Sequence, residues 1–236
     1  MSVKLSKTSK LGCLSWSLQA IDTCPGSKGS DGKLVPACSG CYATSGNYRY
    51  ANVKLPRLHN RTDWEREDWV EDMVTELDSS RYFRWFDSGD CYSVALAEKI
   101  LQVMERTPWC QHWLPTRMHK FSKFHDVFAR MQALPNVVVR YSSDSITGER
   151  VVGHTTSTIV PSDNLKSAGD AYVCPAYTRE GKCGPCKACW SQGVSVIAYV
   201  GHGRSMVAKQ RKVQLIAGIP MRNLSEVANE IIARGA

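Results

Sequence analysis

Cys183, Cys186 and Cys189 follow one another at CxxCxxC spacing, and Cys174 stands nine residues upstream, followed by Pro175. A CxxCxxC turn presents three thiolates close together, each able to reach a different iron, and a distant cysteine closes the fourth corner of a [4Fe-4S] cluster. Zinc also takes four thiolates, although its ribbons usually draw two CxxC pairs from two hairpins. Iron–sulfur and zinc both stay open for this segment.

A second constellation lies near the N-terminus, where Cys24-Pro25-Gly26 is followed by a polar loop and then by Cys38 and Cys41 at CxxC spacing. Three thiolates hold a cubane but leave one iron free for a further ligand. Catalytic zinc differs from structural zinc in the same way. Cys13, Cys91 and Cys110 have no partner at ligand spacing and read as small buried apolar residues.

Strand-like and helix-like segments must position these groups. Leu11–Leu18 alternates as a first strand and runs into the first cysteine loop. Thr62 and Glu65 form a capping box, predicting a helix to about Leu77. Tyr82–Phe86 reads as an aromatic strand, and Ser93 caps a helix with Leu96, Ala97, Ile100, Leu101 and Met104 on one face. His112–Thr116 is a third strand, Ser122 caps a helix carrying Val127, Phe128 and Met131, and Asn136–Tyr141 is a β-branched strand. Further strands are expected at Ser157–Val160 and Val194–Val200, and a last helix from Asn223 to about Arg234. The alternation predicts an α/β fold with parallel strands joined by helices. The domain reading is a main body over 1–160, a four-cysteine segment over 161–193, and a strand and helix over 194–236 that complete the main body.

The chain has 236 residues, 43% of them hydrophobic, which suits a folded core. No stretch approaches the ~20 apolar residues of a membrane span, and the opening lacks a leader pattern. Clustered thiols then read as metal ligands in a reducing cytoplasm, not as disulfides. Residues 1–61 carry nine Lys/Arg against two Asp/Glu, and residues 62–106 five against twelve. The overall charge of +8 suits a nucleic-acid or other phosphate-bearing partner as well as an ordinary solvated surface.

Three cysteines after a first strand, repeated strand–helix units, and Ser88-Gly89-Asp90 after a later strand resemble the radical S-adenosylmethionine enzymes. The Cys-x-x-Cys-Tyr-Ala ending is also similar to a group of bacteriophage gene products, which would place the chain in a host cytoplasm. The resemblance implies a partial (β/α) barrel with a cysteine-rich iron–sulfur insertion near the C-terminus. It implies that Cys24, Cys38 and Cys41 hold an open [4Fe-4S] cluster, that S-adenosylmethionine ligates its free iron, and that Cys174, Cys183, Cys186 and Cys189 hold a second cluster. Ser88, Gly89 and Asp90 would then meet the cofactor's amino group, Arg117 or Arg140 its carboxylate, and Tyr42 would stand near it as the aromatic neighbour of Cys41. Thirteen residues separate Cys24 from Cys38, ten more than the superfamily's usual CxxxCxxC opening allows. The substrate is not legible. The contrasting expectation is a non-catalytic iron–sulfur or zinc protein that binds nucleic acid or a host partner.

Overall fold

The computed structural model describes residues 3–217. Eight strands form one sheet: β1 (Ser6–Lys7), β2 (Leu14–Trp16), β3 (Tyr82–Trp85), β4 (Gln111–Thr116), β5 (Val137–Ser142), β6 (Thr156–Val160), β7 (Tyr172–Val173) and β8 (Val196–Val200). Their order is β1-β2-β3-β4-β5-β6-β8-β7. Only β1–β2 is antiparallel; the other neighbours are parallel. The helices are α1 (Pro36–Ser39), α2 (Ala51–Asp63), α3 (Trp69–Glu76), α4 (Val94–Arg106), α5 (His125–Ala133) and α6 (Arg204–Ile216). The expected helix from Asn223 lies outside the described residues.

Side-chain alternation divides the sheet into two unlike faces. Phe83 and Trp85 of β3, Leu114 of β4, and Val137, Val139 and Tyr141 of β5 join a core with the apolar stripes of α3, α4 and α5. Trp69, Met73, Leu96, Ile100 and Phe128 are fully buried there, each worth about 1.5–3 kcal/mol relative to exposure. On the opposite face Trp113 and Ile197 join Leu11, Cys174, Cys183, Cys189 and Trp190 in a second cluster. β5 is buried on both faces, so it reads as a nearly continuous apolar run.

Several boundaries differ from expectation, among them Ser122, which opens a 3-10 turn and leaves α5 to start at His125. Thr62 lies in the last turn of α2 and opens no helix; the expected helix to Leu77 is α3 alone, starting at Trp69. α2 escapes the periodicity because its buried residues are polar, Arg57, Asn60 and Asp63, while Leu55 and Leu58 face solvent. Ser93 does occupy the first cap position of α4, but its side chain makes no capping hydrogen bond.

His112 is fully buried in the first core. Trp85 Nε1 donates to His112 Nδ1 at 3.3 Å. Thr107 Oγ1 donates to the Val103 carbonyl at 2.7 Å, so at its 2.8 Å contact with His112 Nε2 it must accept. The ring is therefore the neutral Nε2–H tautomer, and burial pushes its pKa down to about 3. A histidine whose pKa falls on folding stabilises the protein fully above its ordinary pKa near 6.5, and that contribution is lost as pH falls toward 3. Thermal melts should thus drop between pH 6.5 and pH 4 by a few kcal/mol more for the native chain than for His112→Gln. Parallel slopes would refute a buried neutral imidazole.

Candidate metal centre

The three-cysteine loop connects β2 to α2 and lies across the C-terminal ends of the central strands. Cys24 precedes the 3-10 turn Pro25–Ser27, Cys38 lies in α1, and Cys41 precedes the turn Tyr42–Thr44. The Cys41 amide donates to the Cys38 carbonyl at 3.1 Å, and the Ala37 amide donates to the Asp144 carbonyl beyond β5 at 3.0 Å. A Cβ on Gly26 would lie 2.6 Å from the Arg117 carbonyl oxygen, so this glycine lets the loop seat against the end of β4. Lys120 Nζ ties the Gly26 carbonyl at 2.8 Å and pairs with Asp144 at 2.5 Å.

The three thiols stand close enough to affect one another. Burial, with Asp90, Cys38 and Cys41 nearby, pushes the Cys24 thiol up to about 12. Burial also raises Cys38, with Arg117 acting in the opposite sense, and it raises Cys41. Arg117 is thus a cation beside this group, with Lys120 a weaker one. Its Nη2 donates to the Ser143 carbonyl at 2.9 Å, and its Nε is 3.4 Å from Asp144.

Ser88, Gly89 and Asp90 are built into the base of the same site. Ser88 Oγ donates to the Leu18 carbonyl at 2.8 Å and accepts from Arg57 Nε at 2.6 Å. Gly89 has φ +79°, and a Cβ there would lie 2.5 Å from Leu18 Cβ. Asp90 Oδ1 accepts from Thr116 Oγ1 and the Cys91 amide, both at 2.7 Å, and Oδ2 accepts from the Arg117 amide at 2.8 Å. A carboxylate offers about four acceptor positions, which leaves room for one further donor. Tyr42 is half exposed and donates to the Asp87 carbonyl at 2.7 Å.

Cys174, Cys183, Cys186 and Cys189 line one narrow pocket with Tyr172, Pro175, Ala176, Ala188, Trp190 and Ile197, with about 10 Å³ of room for a water-sized sphere. β7 delivers Cys174, whose amide donates to the Ala198 carbonyl at 2.9 Å. The Cys183 amide donates to the Lys10 carbonyl at 2.9 Å, and the Cys186 amide to the Cys183 carbonyl at 3.2 Å. Tyr172 Oη lies 3.5 Å from Cys186 Sγ, and Tyr199 Oη 3.3 Å from Cys189 Sγ. Burial raises the Cys183 thiol, helped by Cys174; burial pushes Cys189 up to about 11 against the hydrogen bond from Tyr199.

Arg140 belongs to this second group and not to the three-cysteine loop. It is fully buried, and its guanidinium donates to the carbonyls of Thr156, Val194 and Ser195 and, at 3.5 and 3.4 Å, to those of Ala188 and Ser191. Cys13 also packs against the four-cysteine cluster. The sequence pattern missed it because it comes from the strand β2 side of the sheet. Arg57, Tyr48 and Asp87 were likewise unmarked: Arg57 Nη2 bonds both Asp87 oxygens at 3.0 Å, and Tyr48 Oη donates to Asp87 Oδ2 at 3.1 Å. Among the described residues, no three His, Cys, Asp or Glu side chains converge tightly enough to hold a single ion.

The sequence model of the family described as Gene product 88 matches residues 2–192. The chain belongs to the Gene product 88 family. That match spans all seven cysteines of the two groups and ends before β8. No curated protein and no solved structure matches the chain. No helix among the described residues is long and apolar enough to cross a membrane.

Proposed function

We propose that this Gene product 88 protein is an iron–sulfur protein of the radical S-adenosylmethionine type, working in a reducing cytoplasm on a substrate not yet identified. Cys24, Cys38 and Cys41 would hold an open [4Fe-4S] cluster, and Cys174, Cys183, Cys186 and Cys189 a second one. The observation that carries this reading is the arrival of three mutually interacting thiols at the C-terminal ends of parallel strands, where α/β folds bind ligands. Strands β2 to β6 follow in chain order, all parallel. Right-handed crossovers at each step would put every helix on one face and curl the sheet about the other, as in a partial (β/α) barrel.

The donor sets suit the group. All seven are soft thiols, and the second set lies in an apolar pocket. A mononuclear zinc needs four donors about 2.3 Å from one point, whereas a cubane spreads its thiolates over different irons.

When bound, such a cluster would supply one electron for reductive cleavage of the sulfonium of S-adenosylmethionine. The chain's own residues orient and shield. Asp90 keeps one acceptor position for an ammonium group, Arg117 sets a cation beside the thiols, and Tyr42 stands at the exposed rim. Cys41→Ala should halve iron and sulfide while leaving the four-cysteine signal. Complete loss of iron from a folded variant would mean that all seven cysteines serve one centre.

A second reading rests on α2, where Lys54 and Arg61 are exposed beside Leu55 and Leu58, and no Asp or Glu pairs with either cation among the described residues. It makes the protein a cluster-bearing or zinc-bearing binder of nucleic acid, and its mark is affinity that falls steeply with salt.

A further inference from the structure

Arg84 lies on β3 on the sheet face away from the helices, in register with Ser15 and Trp113. Its guanidinium carbon is 4.6 Å from the centre of the Trp113 ring. Trp113 meets Trp190 edge-on at 5.4 Å, and Trp190 lines the four-cysteine pocket next to Cys189. On the other side stands Tyr42, the residue after Cys41. Arg84 therefore sits between the two thiol groups.

Its charge has no matching carboxylate within ion-pair distance among the described residues. Asp87, the nearest acid in influence, is held by Arg57 at 3.0 Å. Arg84 Nε is buried and without a hydrogen-bond partner. The guanidinium hydrogen-bonds to Tyr42, and its charge reaches the thiols of Cys183 and Cys189 in the four-cysteine pocket. Burial works against the cation, yet Tyr42, Asp87 and Tyr199 together outweigh it and raise its pKa. Four thiolates around an iron–sulfur core carry net negative charge, and one-electron reduction adds another.

We propose that Arg84 is a positioning residue that balances the anionic cluster of the four-cysteine pocket and favours its reduced state. This rests on the reading that the pocket holds an iron–sulfur cluster. In the step concerned, one electron passes from an external reductant, dithionite in the test, into the cluster. No bond is made or broken and no proton moves, because Arg84 stays charged throughout.

The test is a redox titration followed by electron paramagnetic resonance on the full chain, prepared without oxygen. The relevant signal is the one that persists in Cys41→Ala. In Arg84→Gln and Arg84→Met the reduced-to-oxidised ratio at fixed potential should fall at least tenfold, a downward shift of about 59 mV for one electron. Arg84→Lys should recover most of it. Loss of the cluster from both neutral variants but not from Arg84→Lys would support the same role. Equal midpoints in all four proteins would overturn this proposal alone, as would a lysine variant that behaves like the neutral ones. A native protein without iron and sulfide would overturn the reading beneath it and this proposal with it.

Discussion

Replacing Cys183 and Cys186 together by serine is expected to release the segment between Cys174 and Trp190 and to lower the melting temperature by roughly 10 °C or more. Little regular structure holds that segment. β7 has two residues, and the rest consists of the 3-10 turns Pro175–Thr178 and Ala188–Trp190 joined by exposed chain. Its ties to the body include the Cys174 and Cys183 amides, the Arg140 guanidinium, the Cys189–Tyr199 contact, and Trp190, whose Nε1 donates to the Phe83 carbonyl at 2.8 Å and whose ring meets Trp113 and Tyr82. A bound metal centre supplies folding energy directly in such a segment, because the unfolded chain has no preformed site. The double variant should be cut rapidly by trypsin at exposed Arg179 or Lys182, and Trp190 fluorescence should shift toward that of a hydrated indole. A melting temperature and cleavage rate equal to the native protein's would mean that these thiols bear no ligand.

Arg57→Met should cost about 3–5 kcal/mol, because it strands a buried carboxylate. Arg57 and Asp87 are each almost fully buried, and the guanidinium also holds Ser88 Oγ and the Val53 carbonyl. Asp87 keeps the Tyr48 and Ser17 hydroxyls as donors, so the variant should fold, with its cysteine loop loosened. Burial would raise the Asp87 pKa, but Arg57, Arg84 and the two hydroxyls outweigh it and hold it below its ordinary 3.8. A carboxyl with a depressed folded pKa stabilises the protein above its unfolded value and loses that contribution as pH falls through the folded one. The penalty of Arg57→Met should therefore be full at pH 7 and shrink in strong acid. A pH-independent penalty would assign the loss to packing and not to the ion pair.

The strands and helices that bury apolar side chains were legible because the core needs them. The stripe of α4, with Leu96, Ala97, Ile100 and Met104, and the β-branched run of β5 follow the periods that burial imposes. α2 was illegible for the opposite reason. Its inward face is Arg57, Asn60 and Asp63, which serve hydrogen bonds and ion pairs and not apolar burial: Asn60 Nδ2 alone reaches the Lys4 and Ser17 carbonyls at 2.9 and 3.0 Å, and Asp63 accepts from Arg66 Nε at 2.7 Å. The cysteine groupings could be read from spacing, since CxxC places two thiols one turn apart. What lies between the groups could not, because Arg84 and Tyr199 come from distant stretches that only the sheet brings together. The same holds for Arg140, whose place near a strand end suggested the three-cysteine loop although its side chain serves the other face.

The central claim is that two thiol sets hold two iron–sulfur clusters, one of them open. Iron, zinc and acid-labile sulfide measured on protein purified without oxygen, with electron paramagnetic resonance spectra of the reduced sample before and after S-adenosylmethionine, test it most directly. The account predicts about eight irons and eight sulfides per chain and a spectrum in which one of two signals shifts on adding the cofactor. Zinc in place of iron, or iron whose spectrum is indifferent to S-adenosylmethionine, would contradict it.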